Sequence, residues 1–454
     1  MFDAMTKSGS AQSQYQLPNG LTVINLPVAN NDMVGLALVI KTGRRDGTAA
    51  QAAKLDLLSG HFFRKTLTQS TSRELFSELE RLNAGYEIQV DPEQTRVSMV
   101  ARAKDAQRLL SLLGDLVIRP TFDAAAVENY KTLLIKSISE DDKTPAMWLA
   151  FHRDEKLFDA DSPLARSGYL NVDAIKRFSP KQLEAAHRRL FNPQRAALVI
   201  SGGSKLTSFQ VQAALGPMRP GEAIPKRTRP HWRRGQPWST HVRTPVDGEV
   251  PSVALAAAIP MPSANKNGVV DEQSVAAGVL LQEILSGGST SRLFYNVSER
   301  NGLCYGISGH VWWLSDMRFL MIQTSFPPED GRRAMQVAFA QLRDVAGSGS
   351  KAITGSEFAK ARAHILAVQG EQLASAQGRS VMYATRWARE QELLTPAQMK
   401  RALDATSIDD VRRLARQMVT ELEHTRLVLV APAEMGRQLY EAATGPAPRG
   451  LNHD

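Results

Sequence analysis

The stretch SPKQLEAAHRRLFNPQRAALVISGG, from Ser179 to Gly203, shows how this chain is built. Ser179 is suited to cap a helix, Pro180 to take its first position and Gln182 to complete a capping box. The apolar run after Asn192 then predicts a buried strand. The same order of helix, turn and strand returns in SIDDVRRLARQMVTELEHTRLVLVAPA, residues 407–433. A repeated unit of this kind indicates a duplication.

The two stretches close two halves of the chain that resemble each other. The first half begins with a turn at Asn19-Gly20 and the strand MVGLALVIKTG, and the second half begins with the strand VPSVALAAAIPMP. Helical patterns fill the middle of each half, as in TSRELFSELERLNAG, where Thr71 and Glu74 form a capping pair. This order predicts an α+β fold with two homologous domains of about 200 residues, each a mainly antiparallel sheet packed with helices.

A proline- and arginine-rich segment separates the two predicted domains. Within it, PKRTRPHWRRGQPWSTHVRTP (Pro225 to Pro245) carries part of the formal net charge of +9. The segment has no periodicity, and its prolines interrupt any folded basic face, so it predicts a solvated linker rather than a nucleic-acid-binding surface. The predicted boundaries are an N-terminal tail at 1–13, domains at 14–220 and 246–440, a linker at 221–245 and a C-terminal tail at 441–454.

The composition fits a globular protein that does not span a membrane. The 454 residues are 43% hydrophobic and 22% charged, and no apolar run approaches the ~18 residues that cross a bilayer. The N-terminus MFDAMTKSGSAQSQ lacks the apolar core of a secretory signal. The chain is therefore expected in the cytoplasm, or in the periplasm if a signal peptide has been removed. Cys304 is the single cysteine, which excludes an intrachain disulfide and a multi-thiolate zinc site.

The residues alone indicate no self-sufficient active site. None of the nine histidines has a second histidine one helical turn away, and in HRDEK the position after Glu155 is Lys156 instead of a ligand. The Gly-rich LSGGSTSRLF has no lysine after its glycines, so it does not predict a phosphate loop. Cys304 has no neighbouring histidine to lower its pKa.

One long motif nevertheless resembles a known family. LSGGSTSRLFYNVSERNGLCYGISGH, from Leu285 to His310, resembles the signature in the C-terminal half of the pitrilysin-like (M16) metallopeptidases. These include mitochondrial processing peptidase and the cytochrome bc1 core proteins. The matching parts are the turn Gly287-Gly288, the triplet at 291–293 and the Gly-Leu-x-Tyr at 302–305. The resemblance extends over nearly the whole chain, including LPNGLTV, the duplication and PTFDAAAVENYKTLLIKSISEDDKTP.

The resemblance implies a metal helix whose ligands are missing here. Family members carry His-x-x-Glu-His on a helix, followed by Phe-Lys-Gly-Thr, with zinc on the histidines and the Glu activating water. Aligning the Phe-Arg-Lys-Thr at 63–66 with that ending places Asp56 and Gly60 at the histidine positions and Ser59 at the catalytic Glu. His61 misses the register by one residue, which turns it about 100° around the helix.

The third metal ligand of the family is also missing. It would fall near Lys136 and Ser137, and no carboxylate follows until Glu140. With the ligands and the general base replaced, the resemblance implies no metal in this chain, and a chain that is inactive alone.

The second half keeps part of the other functional element of the family. There an arginine seven residues before the Gly-Leu-x-Tyr tyrosine joins that tyrosine in holding the substrate carbonyl and the developing oxyanion. Tyr305 matches the tyrosine, but Ser298 stands at the arginine position. Arg300 or Arg292 is a candidate substitute. The alternative for Tyr305 is a packed strand aromatic. The resemblance also assigns Gly287, Gly288 and Ser291 to a loop of the substrate chamber.

The resemblance thus implies a non-catalytic subunit of a heterodimeric zinc metallopeptidase. A homologous partner would carry His-x-x-Glu-His and the zinc, and this chain would need no cofactor. Each chain would form one clam-shell half of a chamber that encloses a peptide, which would bind partly by strand addition. No nucleic acid and no membrane are expected as partners. The alternative is a catalytically silent structural subunit like the bc1 core proteins.

Overall fold

A computed structural model describes residues 12–141, 144–159, 162–165, 172–221, 252–262, 265–266, 269–389, 394–431 and 433–444. Of the predicted linker 221–245, only Gly221 lies within the described residues. Of the predicted tails, only 12–13 and 441–444 do, and 441–444 belong to a helix. The chain divides into a first unit, Met1–Ile138, Arg166–Arg229 and Gln369–Glu390, and a second unit, Ser139–Ala165, Pro230–Val368 and Gln391–Asp454.

The first half of the chain contributes six strands and eight α-helices among the described residues. The strands are β1 Ser13–Gln16, β2 Thr22–Pro27, β3 Met33–Ile40, β4 Gly85–Val90, β5 Thr95–Arg102 and β6 Ala196–Gly202. The helices are α1 Ala49–His61, α2 Ser72–Arg81, α3 Ala106–Ile118, α4 Ala124–Asp141, α5 Pro145–Leu157, α6 Val172–Arg177, α7 Pro180–Leu190 and α8 Ser208–Leu215. The predicted capping boxes at Thr71 and Ser179 are both formed.

The second half repeats this order. Its strands are β7 Val253–Met261, β8 Asn265–Lys266, β9 Val269–Val270, β10 Ile307–Trp313, β11 Arg318–Phe326 and β12 Arg426–Val430. Its helices are α9 Glu272–Ser286, α10 Gly331–Asp344, α11 Gly355–Ala374, α12 Ala376–Ala388, α13 Pro396–Ala405, α14 Ile408–Thr420 and α15 Ala433–Thr444, with a π-helix at Phe294–Glu299. Ser407 caps α14 with a capping box.

The two sheets share one topology, which confirms the predicted α+β fold with two related domains. The first sheet has the order β1-β2-β6-β3-β5-β4, and only the pair β2 and β6 is parallel. The second has the order β10-β11-β7-β12 and is antiparallel throughout. Its strands match β4-β5-β3-β6 in both sheet position and chain order.

Both faces of the central strands in each sheet are buried, because helices cover both sides, whereas the edge strands β1 and β4 are largely exposed. In β3, Leu36 and Leu38 face a core that includes Leu109 of α3. On the opposite face, Ala37 and Val39 pack in a cluster with Ala384 of α12. This double coverage explains why seven consecutive residues of β3 are buried rather than alternating.

Each unit takes the helix for one face of its sheet from the other half of the chain. Helix α12 packs on β3 and β6 of the first unit, and its sequence counterpart α5 packs on β7 and β12 of the second. Trp148 and Leu149 of α5 share a cluster with Ala256 and Val428. The compact units are therefore not simply the two halves of the sequence. None of the described helices is long and apolar enough to cross a membrane.

Candidate functional site

Asp56, at the first predicted ligand position of α1, is held by an arginine. Its side chain is 1% exposed, and its Oδ1 accepts a hydrogen bond from Arg44 Nε at 2.8 Å. The guanidinium, which is partly exposed, supplies the positive charge that a buried carboxylate needs. Asp56 thus takes part in an ion pair within the protein.

Ser59, at the position of the catalytic Glu, is used by the helix itself. Its Oγ donates a hydrogen bond to the carbonyl of Asp56 at 2.8 Å, one turn earlier in α1. A neutral hydroxyl is a far weaker base than a carboxylate and does not act as the general base that activates water. Ser59 therefore offers a hydroxyl that is bonded within its own helix, and no general base.

Gly60, at the second ligand position, leaves room for Tyr130 of α4. A Cβ on Gly60 would lie 1.5 Å from Tyr130 Oη and 2.2 Å from its Cζ. Nonbonded heavy atoms attract at about 3.5 to 4.0 Å, so any side chain at this position would force Tyr130 to move. The position of the Tyr130 side chain against α1 thus depends on a residue without a side chain.

His61 lies in an aromatic cluster rather than at a metal site. It is 4% exposed and stacks on Phe122 with ring centroids 5.7 Å apart. Phe122 also contacts the buried His187 edge-on. Burial lowers the pKa of His61 to about 4, with Arg64 adding to the shift, and burial lowers the pKa of His187 to about 3. Both imidazoles are therefore neutral core groups near pH 7.

The residues present do not fit a zinc ion. Lys136 and Ser137, near the third ligand position, are exposed residues of α4 without a carboxylate. The side chain of Glu140 lies outside the described residues. No three His, Cys, Asp or Glu side chains in the described part of the chain come together as a metal site.

Tyr305 is presented to solvent by a tightly bonded loop. The π-helix before it contains the bond from the Arg300 amide to the Tyr295 carbonyl. Gly302 then turns the chain with φ of 62°. Tyr305 follows as a fully exposed aromatic residue. It is therefore not packed against its own chain within the described residues, contrary to the alternative of a packed strand aromatic.

Ser298, at the position of the family arginine, fixes this loop. Its Oγ lies 2.7 Å from the carbonyl oxygen of Cys304 and 3.0 Å from that of Tyr305, so its single hydrogen is shared between two acceptors. Leu303 donates its amide to the Val297 carbonyl at 3.0 Å. Ser298 orients the backbone that carries Tyr305, a role that sequence alone did not indicate.

The two candidate arginines differ in their surroundings. Arg292 is bound to both carboxylate oxygens of Glu357, at 2.7 and 2.9 Å, and donates to the carbonyls of Lys351 and Ala352 at 3.0 Å. These contacts join the guanidinium of Arg292 to the segment at residues 351–357 of the same unit. Arg300 is exposed at the end of the π-helix.

The loop at 287–291 forms one wall of a cavity of about 320 Å³ in the second unit. Gly287 ends α9, and Ser291 is buried. Helix α11 forms the opposite wall with Lys360 and His364. Sequence analysis missed this cavity, as it missed Arg44 and Tyr130, because each depends on contacts between segments far apart in the chain.

Comparison with known sequences identifies the family of this chain. Residues 23–165 match the family described as insulinase, peptidase family M16, and residues 177–365 match the peptidase M16 inactive domain. The chain belongs to the M16 peptidase family and carries its inactive C-terminal domain.

Relatives and solved structures agree with this membership. An uncharacterised zinc protease of Mycobacterium leprae is 24% identical over 340 residues, 73% of each chain. A protease structure from Helicobacter pylori has a TM-score of 0.78 at 15% identity and covers 93% of this chain and 99% of its own. The structure of a peptidase M16 inactive domain from Pseudomonas fluorescens has a TM-score of 0.76 at 18% identity, with 93% and 98% covered. These two structures show likeness of fold.

Proposed function

We propose that this chain is the non-catalytic subunit of a two-chain M16 zinc peptidase. Its partner is a homologous chain with His-x-x-Glu-His, which holds the zinc and the general base. This chain supplies half of the chamber that encloses the peptide, and Tyr305 contacts the substrate. The observation that carries the proposal is the contrast between the two motifs: the metal helix is closed by packing, whereas Tyr305 is kept exposed.

The exposure of Tyr305 supports a role outside its own unit. Tyr305 lies on a loop fixed by Ser298 and is fully exposed, so its apolar ring stays in contact with water and does not stabilise the core. Its hydroxyl can donate a hydrogen bond to a carbonyl or oxyanion of a peptide. Arg300 is the candidate for the accompanying positive charge, and Arg292 keeps its contacts with Glu357.

The edge strands of the two sheets support binding of an extended peptide. Strand β4 ends the first sheet and β10 ends the second among the described strands. An extended peptide adds to such an edge through backbone hydrogen bonds. Strand β10 begins two residues after Tyr305, so a peptide added there would pass close to the exposed loop.

The decisive experiment reconstitutes the pair. A zinc-bearing M16 homologue is mixed with this chain, and cleavage of an unstructured peptide is measured against each chain alone. Activity is expected only in the mixture, and Tyr305→Phe is expected to lower kcat by about a hundredfold, the usual loss of one oxyanion donor. Tyr295→Phe is the matched control, because Tyr295 is a half-exposed tyrosine of the neighbouring π-helix; it should leave kcat unchanged.

Two results of this activity assay would contradict the proposal. Full activity of the partner alone would remove any need for this chain. A complex whose kcat is the same with Tyr305→Phe would instead indicate the structural subunit, comparable to the bc1 core proteins. Metal analysis of the separated subunits is the second test, since stoichiometric zinc in this chain would overturn the assignment of zinc to the partner.

A further inference from the structure

The cavity in the second unit has one acidic end. Glu283 of α9 lies over Gly287, where a Cβ would be 2.0 Å from the Glu283 carboxyl carbon. Its Oε1 is 2.6 Å from His364 Nδ1 of α11. The carbonyls at the C-terminal end of the 15-residue α9 add negative partial charge. This end of the cavity is suited to accept hydrogen bonds from a cationic group.

A side chain of the opposite charge lines the same cavity from α11. Lys360 precedes His364 by four residues on α11, a spacing that puts their Cβ atoms about 5–6 Å apart. Lys360 Nζ donates to Thr290 Oγ1 at 2.6 Å. Among the described residues Lys360 bonds to Thr290 oxygens and to no carboxylate, because Glu357, the other acid of the cavity, pairs with Arg292.

A buried hydroxyl in the lining of this cavity supports the presence of a polar ligand. Ser291 lines the cavity, is 5% exposed, and its Oγ has no hydrogen-bond partner within the described part of the chain. A buried polar group without a partner costs about 1–3 kcal/mol, which a bound polar ligand would offset. Beside it, Ile284 and Ala361 form an apolar floor.

We infer that this cavity binds a free α-amino acid as its zwitterion. The ammonium group bonds to Glu283, the carboxylate bonds to Lys360 and Ser291, and an aliphatic side chain covers Ile284 and Ala361. The ammonium and carboxylate groups of an α-amino acid supply one charge for each of the two oppositely charged side chains that line the cavity, Glu283 and Lys360. The volume of about 320 Å³ is within the range of small-molecule sites.

The inference is independent of the proposed partner, because the site lies wholly in the second unit of this chain. Titration calorimetry of the purified full-length chain with L-leucine tests it. L-leucine is expected to bind, whereas N-acetyl-L-leucine and L-leucine methyl ester, which each lack one charge, should bind at least about tenfold more weakly. Peptidase activity plays no part in this measurement, so it separates this inference from the proposed function.

Variants locate the binding. Glu283→Gln and Lys360→Met are each expected to weaken L-leucine binding at least about tenfold, and Ser291→Ala to weaken it by a smaller factor. Lys400→Met is the matched control, because Lys400 is an exposed lysine of α13 paired with Asp404; it should bind as the unmodified chain does. Thermal unfolding identifies any variant that fails to fold. In that case N-acetyl-L-leucine and L-leucine methyl ester still test the site, because they are measured on the unmodified chain.

Three results would overturn the inference. These are no saturable binding of L-leucine up to about 10 mM, equal affinity for L-leucine and its methyl ester, and unchanged affinity in a folded Lys360→Met variant.

Discussion

The hydroxyl of Tyr130 fills the space in which a side chain on Gly60 would begin. The alignment of residues 63–66 with the M16 motif predicts the second zinc-binding histidine at this position. In that alignment, the change from a ligand to glycine goes together with the packing of Tyr130 against α1. Restoring one ligand by substitution would first have to displace a tyrosine.

Gly60→Ala is expected to destabilise the protein by about 1–3 kcal/mol, because the new Cβ would overlap Tyr130. Urea unfolding measures the change. Gly370→Ala is the matched control, since Gly370 lies in α11 with no atom near the Cβ position; it should stabilise by about 0.5–1 kcal/mol. Equal effects of the two substitutions would contradict the packing argument. Adding Tyr130→Ala to Gly60→Ala should reduce the penalty below the sum of the two single changes.

Stability is expected to fall as the pH drops from about 6.5 towards 4. His61 and His187 have folded pKa values of about 4 and about 3, whereas unfolded histidines have a pKa near 6.5. In this window the unfolded state binds more protons, so the free energy of unfolding rises with pH and falls on acidification. The loss between pH 7 and pH 5 is on the order of 2 kcal/mol for each histidine.

Urea unfolding at a series of pH values measures this slope. The double variant His61→Phe, His187→Phe should flatten it between pH 7 and pH 5. Glu78→Gln is the control, because a hydrogen bond from Arg81 lowers the pKa of Glu78 to about 2, and its contribution is lost only below about pH 4.5. A slope unchanged in the double histidine variant would show that other groups cause it.

Ser298→Ala is expected to loosen the loop that presents Tyr305. It removes the hydroxyl bound to the carbonyls of Cys304 and Tyr305 and should cost about 0.5–1.5 kcal/mol. Amide hydrogen exchange should accelerate at residues 302–306. Ser308→Ala, which removes only a contact of 3.5 Å in β10, should leave that exchange unchanged. Equal protection in both variants would contradict the role assigned to Ser298.

Arg292→Ala is expected to destabilise the second unit by about 2–3 kcal/mol, since Glu357 and two carbonyls lose their donor. Arg413→Ala, which breaks an exposed pair with Asp410, should cost less than about 0.5 kcal/mol. Thermal and urea unfolding compare the two. If Arg292→Ala left stability unchanged and abolished cleavage by the reconstituted pair, Arg292 would belong to the substrate chamber instead.

Local patterns predicted much of the fold. The capping boxes at Ser179 and Thr71 are formed as expected, because these signals depend on residues three positions apart. The order of helix, turn and strand at residues 179–203, which returns at residues 407–433, indicated the duplication. The break between α11 and α12 at Ser375 was missed, since a helical pattern continues across it.

The sequence by itself determined the family, the paired α+β units and the absence of the metal-ligand pattern at positions 56, 59 and 60. All of these are written in residue order and spacing. Only the tertiary structure decided that α5 packs on the sheet of the second unit and α12 on the sheet of the first. It also decided that Tyr130 occupies the space beside Gly60, and that Tyr305 is exposed on a loop fixed by Ser298. The physical reason is that these features are contacts or exposures set by packing between segments, and the spacing of residues along one element does not encode them.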